Sequence, residues 1–170
     1  IYLLETNEGN NRKLHGVLGT HVDDGICGGD QFFHKQLERL KQVLPFGSFK
    51  QQKFVFTGIH LEQLPDFSIM ASQEKYVKNI QAIDIGRIRR QTPESTVTEP
   101  ELNKLRGLIG SLQYAVTHTR PDMAAKLGEV QIQIAKATVQ TLMLANKILR
   151  EAQENCQENS HVKICFRSIP

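Results

Sequence analysis

Two adjacent carboxylates, Asp23 and Asp24, are the sharpest chemical feature of this sequence. They follow an apolar, β-branched run from Leu14 to Val22 (LHGVLGTHV) and precede Gly25. The run reads as a buried strand. Asp23-Asp24-Gly25 reads as a tight hairpin turn, with Ile26 and Cys27 opening a return strand that ends at Gly28-Gly29. Like charges a few ångströms apart repel, and one pKa rises unless a cation sits between them. A hard divalent ion such as Mg²⁺ prefers carboxylate oxygens and shares them with substrate phosphates. Two such ions can activate a 3′-hydroxyl and stabilise a leaving pyrophosphate. The bland alternative is an Asp-Gly turn in solvent.

Other chemistry-bearing residues form weaker sets. The six histidines do not make a metal spacing such as H-E-x-x-H. Cys156, His161 and Cys165 offer three zinc ligands and lack a fourth. Gly25, Gly28 and Gly29 (DDGICGGD) lack the Lys-Ser/Thr ending of a phosphate loop. Tyr76, among basic residues in Gln73-Glu-Lys-Tyr76, could stack on a base, although a tyrosine at that spacing is more often a core residue with its hydroxyl outside. Arg120-Pro-Asp122 could hold a functional arginine, or simply a local Arg–Asp contact at a helix start.

The elements that must position these groups follow from periodicity. Asp30 is a good N-cap for a helix whose Phe33, Leu37, Leu40 and Leu44 recur at helical spacing and which Pro45 stops. Phe49 to Leu64 alternates as strands with a break at Gly58, Pro65-Asp66 is a turn, and Phe67 to Ala71 is another short strand. Ser72 caps a helix from about Gln73 to about Ile83. Residues 85–98, with Gly86, Pro93 and a Ser/Thr-rich run, are the best linker. Beyond it Leu102, Leu105, Leu108, Ile109 and Leu112 stripe one helix, Pro121 and Asp122 open a second, and Thr138 opens a third with Leu142, Ala145, Ile148, Leu149 and Ala152 on one face. His161 to Phe166 reads as a strand without partners. The expected class is α+β: antiparallel strands plus helix, then a mainly helical part.

The 170 residues, 39% hydrophobic and 23% charged, suit one ordinary domain or two small lobes and exclude wholesale disorder. No apolar run is long enough for a membrane helix, and no signal peptide is evident. Three irregularly spaced cysteines point to a reducing, intracellular setting. The chain opens on Ile1 in mid-pattern and reads as a piece of a longer protein. Its net charge is only +3, but the charge is blocked. Between Gln31 and Lys53 stand Lys35, Arg39, Lys41, Lys50 and Lys53 against Glu38 alone. Between Lys75 and Arg90 stand Lys75, Lys78, Arg87, Arg89 and Arg90 against Asp84 alone. Such blocks can track a phosphate backbone, or be solvated faces.

Several segments together resemble one family. Gly16 to Asp24 (GVLGTHVDD) looks like the signature hairpin of reverse transcriptases, usually aromatic-x-Asp-Asp. Phe54 to Ile59 (FVFTGI), Ser72 to Tyr76 (SQEKY), Leu105 to Tyr114 (LRGLIGSLQY) and Thr119 to Asp122 (TRPD) resemble, in order, blocks of the copia class of LTR retrotransposons. The resemblance implies an RNA-directed DNA polymerase within a Pol polyprotein that also holds protease, integrase and ribonuclease H. It implies the C-terminal part of a palm over 1–84 with a primer-grip-like hairpin from Lys53 to His60. A linker (85–98), a helical thumb/connection (99–157) and a strand leading toward ribonuclease H (158–170) would follow. Asp23 and Asp24 match the family's catalytic ligands of two Mg²⁺ ions, for which Mn²⁺ can substitute. His21, Lys50, Lys53, Gln73, Lys75, Tyr76, Lys78 and Arg120 are the expected nucleic-acid contacts. The partners would be an RNA or DNA template with primer, dNTPs and the rest of Pol, with no membrane, in a cytoplasmic virus-like particle or the nucleus.

The sequence departs from the family at two points. His21 stands where the family commonly has Tyr, and no residue matches the family's third catalytic aspartate, carried on an earlier strand. The expectation is a chain inactive alone. The competing expectation is a transposon remnant that binds primer–template without chemistry.

Overall fold

The computed structural model describes residues 1–8, 11–44, 46–155 and 163–167. It is α+β with antiparallel sheets and five α-helices among the described residues. The chain divides into two compact units, 1–57 and 58–170.

In the first unit β1 (Tyr2–Glu8), β2 (Asn11–His21) and β3 (Asp24–Gly29) form an antiparallel sheet in that order. Helix α1 (Gln31–Val43) starts as expected: the Asp30 carboxylate accepts the Phe33 N–H at 3.0 Å. Phe33 and Leu37 are buried, whereas Leu44 is exposed. Gly16 and Gly29 face each other across the β2–β3 ladder. A Cβ on either would strike the Phe33 ring, and one on Gly29 would also lie 2.6 Å from the His15 carbonyl. The two glycines thus form the notch that lets α1 seat on the sheet. Strand β4 (Lys53–Phe56) closes the unit.

Three expectations change here. Strand β1 was not foreseen, and it pairs along the length of β2. The turn is Val22–Asp23 rather than Asp23-Asp24-Gly25, because Asp24 pairs with His21 at the end of a ladder running without a break from Gly16–Gly29. Helix α1 ends at Val43, while Pro45, the expected stop, lies outside the described residues.

The second unit begins at Gly58 (φ 80), which with Thr57 (φ 47) turns the chain from β4 into β5 (Ile59–Gln63). Strand β6 (Ile69–Ser72) pairs antiparallel with β5 and with β7 (Ile164–Phe166), so the C-terminal strand has a partner after all. Helix α2 (Glu74–Asn79) is shorter than its periodicity predicts. Gln153 donates to the carbonyls of Val77, Lys78 and Ile80, and Asn146 grips both the N–H and the C=O of Ile83 at 2.8 Å. Those side-chain bonds satisfy the backbone that a longer helix would have satisfied itself.

The remaining helices are α3 (Glu99–His118), α4 (Ala124–Gln133) and α5 (Val139–Glu154). The expected stripes lie in the core: Leu105, Leu108, Ile109 and Leu112 of α3 and Leu142, Ala145, Ile148, Leu149 and Ala152 of α5 are buried and Leu102 is partly buried, and Leu127, Val130 and Val139 join them. Residues 85–98 are packed rather than a loose linker. Ile85 is buried, Arg89 pairs with Glu101, and Val139 N–H donates to the Ser95 carbonyl. No helix among the described residues is long and apolar enough to cross a membrane.

Candidate metal and nucleic-acid site

The hairpin tip is built by the sheet of the first unit. His21 and Asp24 stand opposite each other, and Val22–Asp23 joins them. Val22 has φ 56 and is 92% exposed. A β-branched residue in the left-handed region is strained, and strain of this kind concentrates at functional sites. Asp23, Asp24 and His21 are all exposed. Side chains alternate along a strand, and Gly16 and Gly29 both face Phe33 of α1. His21 and Asp24 therefore lie on the sheet face turned away from α1, as do Leu3, Leu14 and Val17, all of them solvent-exposed.

A polar network centred on the buried His15 holds this hairpin. Gly16 pairs with Leu4 but Leu14 pairs with Glu5, which leaves His15 as the extra residue of a bulge. The bulge turns both His15 and Gly16 inward. His15 Nδ1 lies 2.7 Å from Asp30 Oδ2; a carboxylate only accepts, so Nδ1 carries the hydrogen. His15 Nε2 lies 2.7 Å from Thr6 Oγ1, and the ring packs 4.6 Å from that of Phe32. The Phe33 N–H, followed by His15, holds the Asp30 carboxyl below the usual carboxylate range. One side chain thus ties β1, β2 and the start of α1 together. The N-cap was legible in the sequence, but its bond to a histidine fifteen residues away depends on the bulge and left no local signal.

The donor set at the tip fits a hard cation. Mg²⁺ takes oxygen ligands and is commonly held by one or two carboxylates together with waters and substrate phosphates, and two exposed carboxylates on consecutive residues can supply that. Among the described residues no third His, Cys, Asp or Glu joins them. Of the weaker zinc set, Cys156 and His161 lie outside the described residues, and Cys165 is exposed.

The expected nucleic-acid contacts separate by burial. Lys50 and Lys53 in the first unit are exposed, as are Lys75 and Lys78 on α2. Tyr76 is half-buried: its hydroxyl donates to the Ser111 carbonyl at 3.1 Å and its ring meets Tyr114 edge-on at 5.2 Å. Gln73 and Arg120 are placed inside instead of on the surface. Gln73 is 2% exposed and its Oε1 accepts from the Thr119 hydroxyl at 2.9 Å. Arg120 is 3% exposed, makes a bidentate pair with Asp122 at 2.9 Å and donates to the Ala152 carbonyl. Arg120 is committed to internal bonds; Gln73 is buried and bonded through Oε1, while its Nε2 has no partner among the described residues, so neither side chain lies on the surface. The local Arg–Asp reading of the Arg120-Pro-Asp122 segment is the one observed.

No protein-family model matches the chain, and neither curated proteins nor solved structures gave a match.

Proposed function

We propose that this chain is the C-terminal palm and thumb/connection part of a copia-class reverse transcriptase, an RNA-directed DNA polymerase. The observation that carries the reading is the hairpin. Two consecutive carboxylates sit exposed, Asp23 on a two-residue turn with the strained Val22 and Asp24 at the start of the return strand, at the end of an antiparallel sheet backed by one helix. The ordered sequence blocks from Gly16 to Asp122 and the mixed α+β architecture support it.

In this reading Asp23 and Asp24 would hold Mg²⁺, which when bound lowers the charge barrier to nucleotidyl transfer. The protein's own part is positioning. The His15–Asp30–Thr6 bonds fix the strand that carries the tip, and the His21–Asp24 pair sets the direction of the second carboxylate. Exposed Lys50, Lys53, Lys75 and Lys78 would meet template and primer phosphates. Template, primer, dNTPs and the remaining Pol domains are the partners.

The test is primer extension on an RNA template with Mg²⁺, made in the longer polyprotein that the resemblance implies. Extension lost in both Asp23→Asn and Asp24→Asn, with duplex binding kept, is expected. Near-wild-type extension by both variants contradicts the reading. Absent extension with retained duplex binding selects the competing reading, a remnant that binds nucleic acid without chemistry.

A further inference from the structure

Residues 46–53, between α1 and β4, leave two aromatic rings outside the core. Phe33 and Leu37 are 6% and 5% exposed, but Phe46 and Phe49 are each 42% exposed. Lys41 Nζ, itself paired with Glu38, lies 4.0 Å from the centroid of the Phe49 ring. Lys50 and Lys53 follow within four residues and are exposed. Ser48 adds a hydrogen-bonding side chain between the two rings in the sequence, and Gln51 and Gln52 add two more between the lysines.

We propose that this segment is a platform for single-stranded nucleic acid, separate from the carboxylate hairpin. Phe46 and Phe49 stack on bases, while Lys50 and Lys53 meet the flanking phosphates. Every base has a π-face, so aromatic side chains set among lysines bind strands with little sequence preference. Residues 46–53 carry Lys50 and Lys53 and no acid, the sign of charge that a polyanion requires. An anionic lipid surface also attracts lysines, but a lipid-inserting segment presents a continuous apolar face. Here Gly47, Ser48, Gln51 and Gln52 interrupt it. The preference for nucleic acid over lipid rests on the polymerase reading.

The experiment is a fluorescence-anisotropy titration of the 170-residue chain with a labelled oligo(dT) of about a dozen nucleotides, repeated across a salt range. The double variant Phe46→Ala/Phe49→Ala is expected to bind roughly tenfold or more weakly with an unchanged salt slope. Lys50→Ala/Lys53→Ala is expected to flatten the slope of log K against log salt by about 1.4, from roughly 0.7 for each phosphate contact on a single strand. Circular dichroism checks that the surface variants fold. No binding, or equal binding of the Phe variant and the wild type, overturns the platform. So does binding to anionic phosphatidylserine vesicles but not to the oligonucleotide. The two proposals fail separately. Asp24-dependent extension with Phe-insensitive oligonucleotide binding removes the platform alone. Phe-sensitive binding without extension removes the polymerase reading alone.

Discussion

Among the described residues the first unit buries two apolar side chains, Phe33 and Leu37, and leaves Leu3, Leu14, Val17, Phe46 and Phe49 in solvent. The second buries nineteen in one cluster drawn from α2 to α5 and the segments between them. Yet the exposed carboxylate pair, the strained Val22 and the exposed aromatic rings among lysines all lie in the first. Packing and candidate chemistry are divided between the units. The helical unit is held by hydrophobic burial. The hairpin unit is held by a glycine notch, a bulge and a buried imidazole, which fix geometry with little burial.

Core truncations sharpen that contrast most. Leu142→Ala or Leu105→Ala, both fully buried, should cost about 2–5 kcal/mol in urea unfolding. Leu14→Ala, 54% exposed, should stay within about 0.5 kcal/mol. Equal costs would mean that the open sheet face is covered in solution.

The notch is the next test. Gly29→Ala drives a methyl group into Phe33 and the His15 carbonyl and should cost about 1–3 kcal/mol. Gly28→Ala, with nothing within 4 Å of the new carbon, should be close to neutral in the same thermal melts.

A smaller effect separates the units by pH. Arg89, followed by the Thr98 N–H, pulls the Glu101 pKa down to about 2 from 4.5. The folded value lies below the ordinary one, so the contribution is complete above about pH 4.5 and is lost as pH falls through about 2. Glu101→Gln should cost about 1–2 kcal/mol at neutral pH and remove that acid-dependent step from the unfolding of the helical unit. An unchanged pH profile would remove the Arg89–Glu101 pair from the account.

How legible these features were depended on how local their causes are. The capped start of α1 was readable because Asp30 and Phe33 are three residues apart. The stripes of α3 and α5 were readable because each helix buries one continuous face. The turn was displaced by one residue because ladder register outweighed the Asp-Gly turn preference, at the cost of a left-handed Val22. The early end of α2 and the packing of residues 85–98 come from Gln153, Asn146 and Glu101, which act from other elements and leave no mark in local periodicity. Gln73 and Arg120 were expected on the surface by polarity, but Arg120 finds partners inside, and Gln73 is buried with Oε1 bonded to Thr119 and Nε2 left without a partner among the described residues. The hairpin that carries the carboxylate pair was readable because Asp23-Asp24-Gly25 interrupts two apolar runs that are close in sequence.

The smallest stability effect belongs to the residues given the largest role. Asp23→Asn and Asp24→Asn lie at an exposed tip and should change unfolding by no more than about 0.5 kcal/mol. The most direct measurement therefore reads the cation. Mn²⁺ titrated into the isotopically labelled chain should broaden the backbone amide NMR signals of His21 to Gly25 first, and the broadening should vanish in the Asp23→Asn/Asp24→Asn double variant. Broadening centred elsewhere, or unchanged in that variant, would contradict the assignment of the hairpin as the metal site.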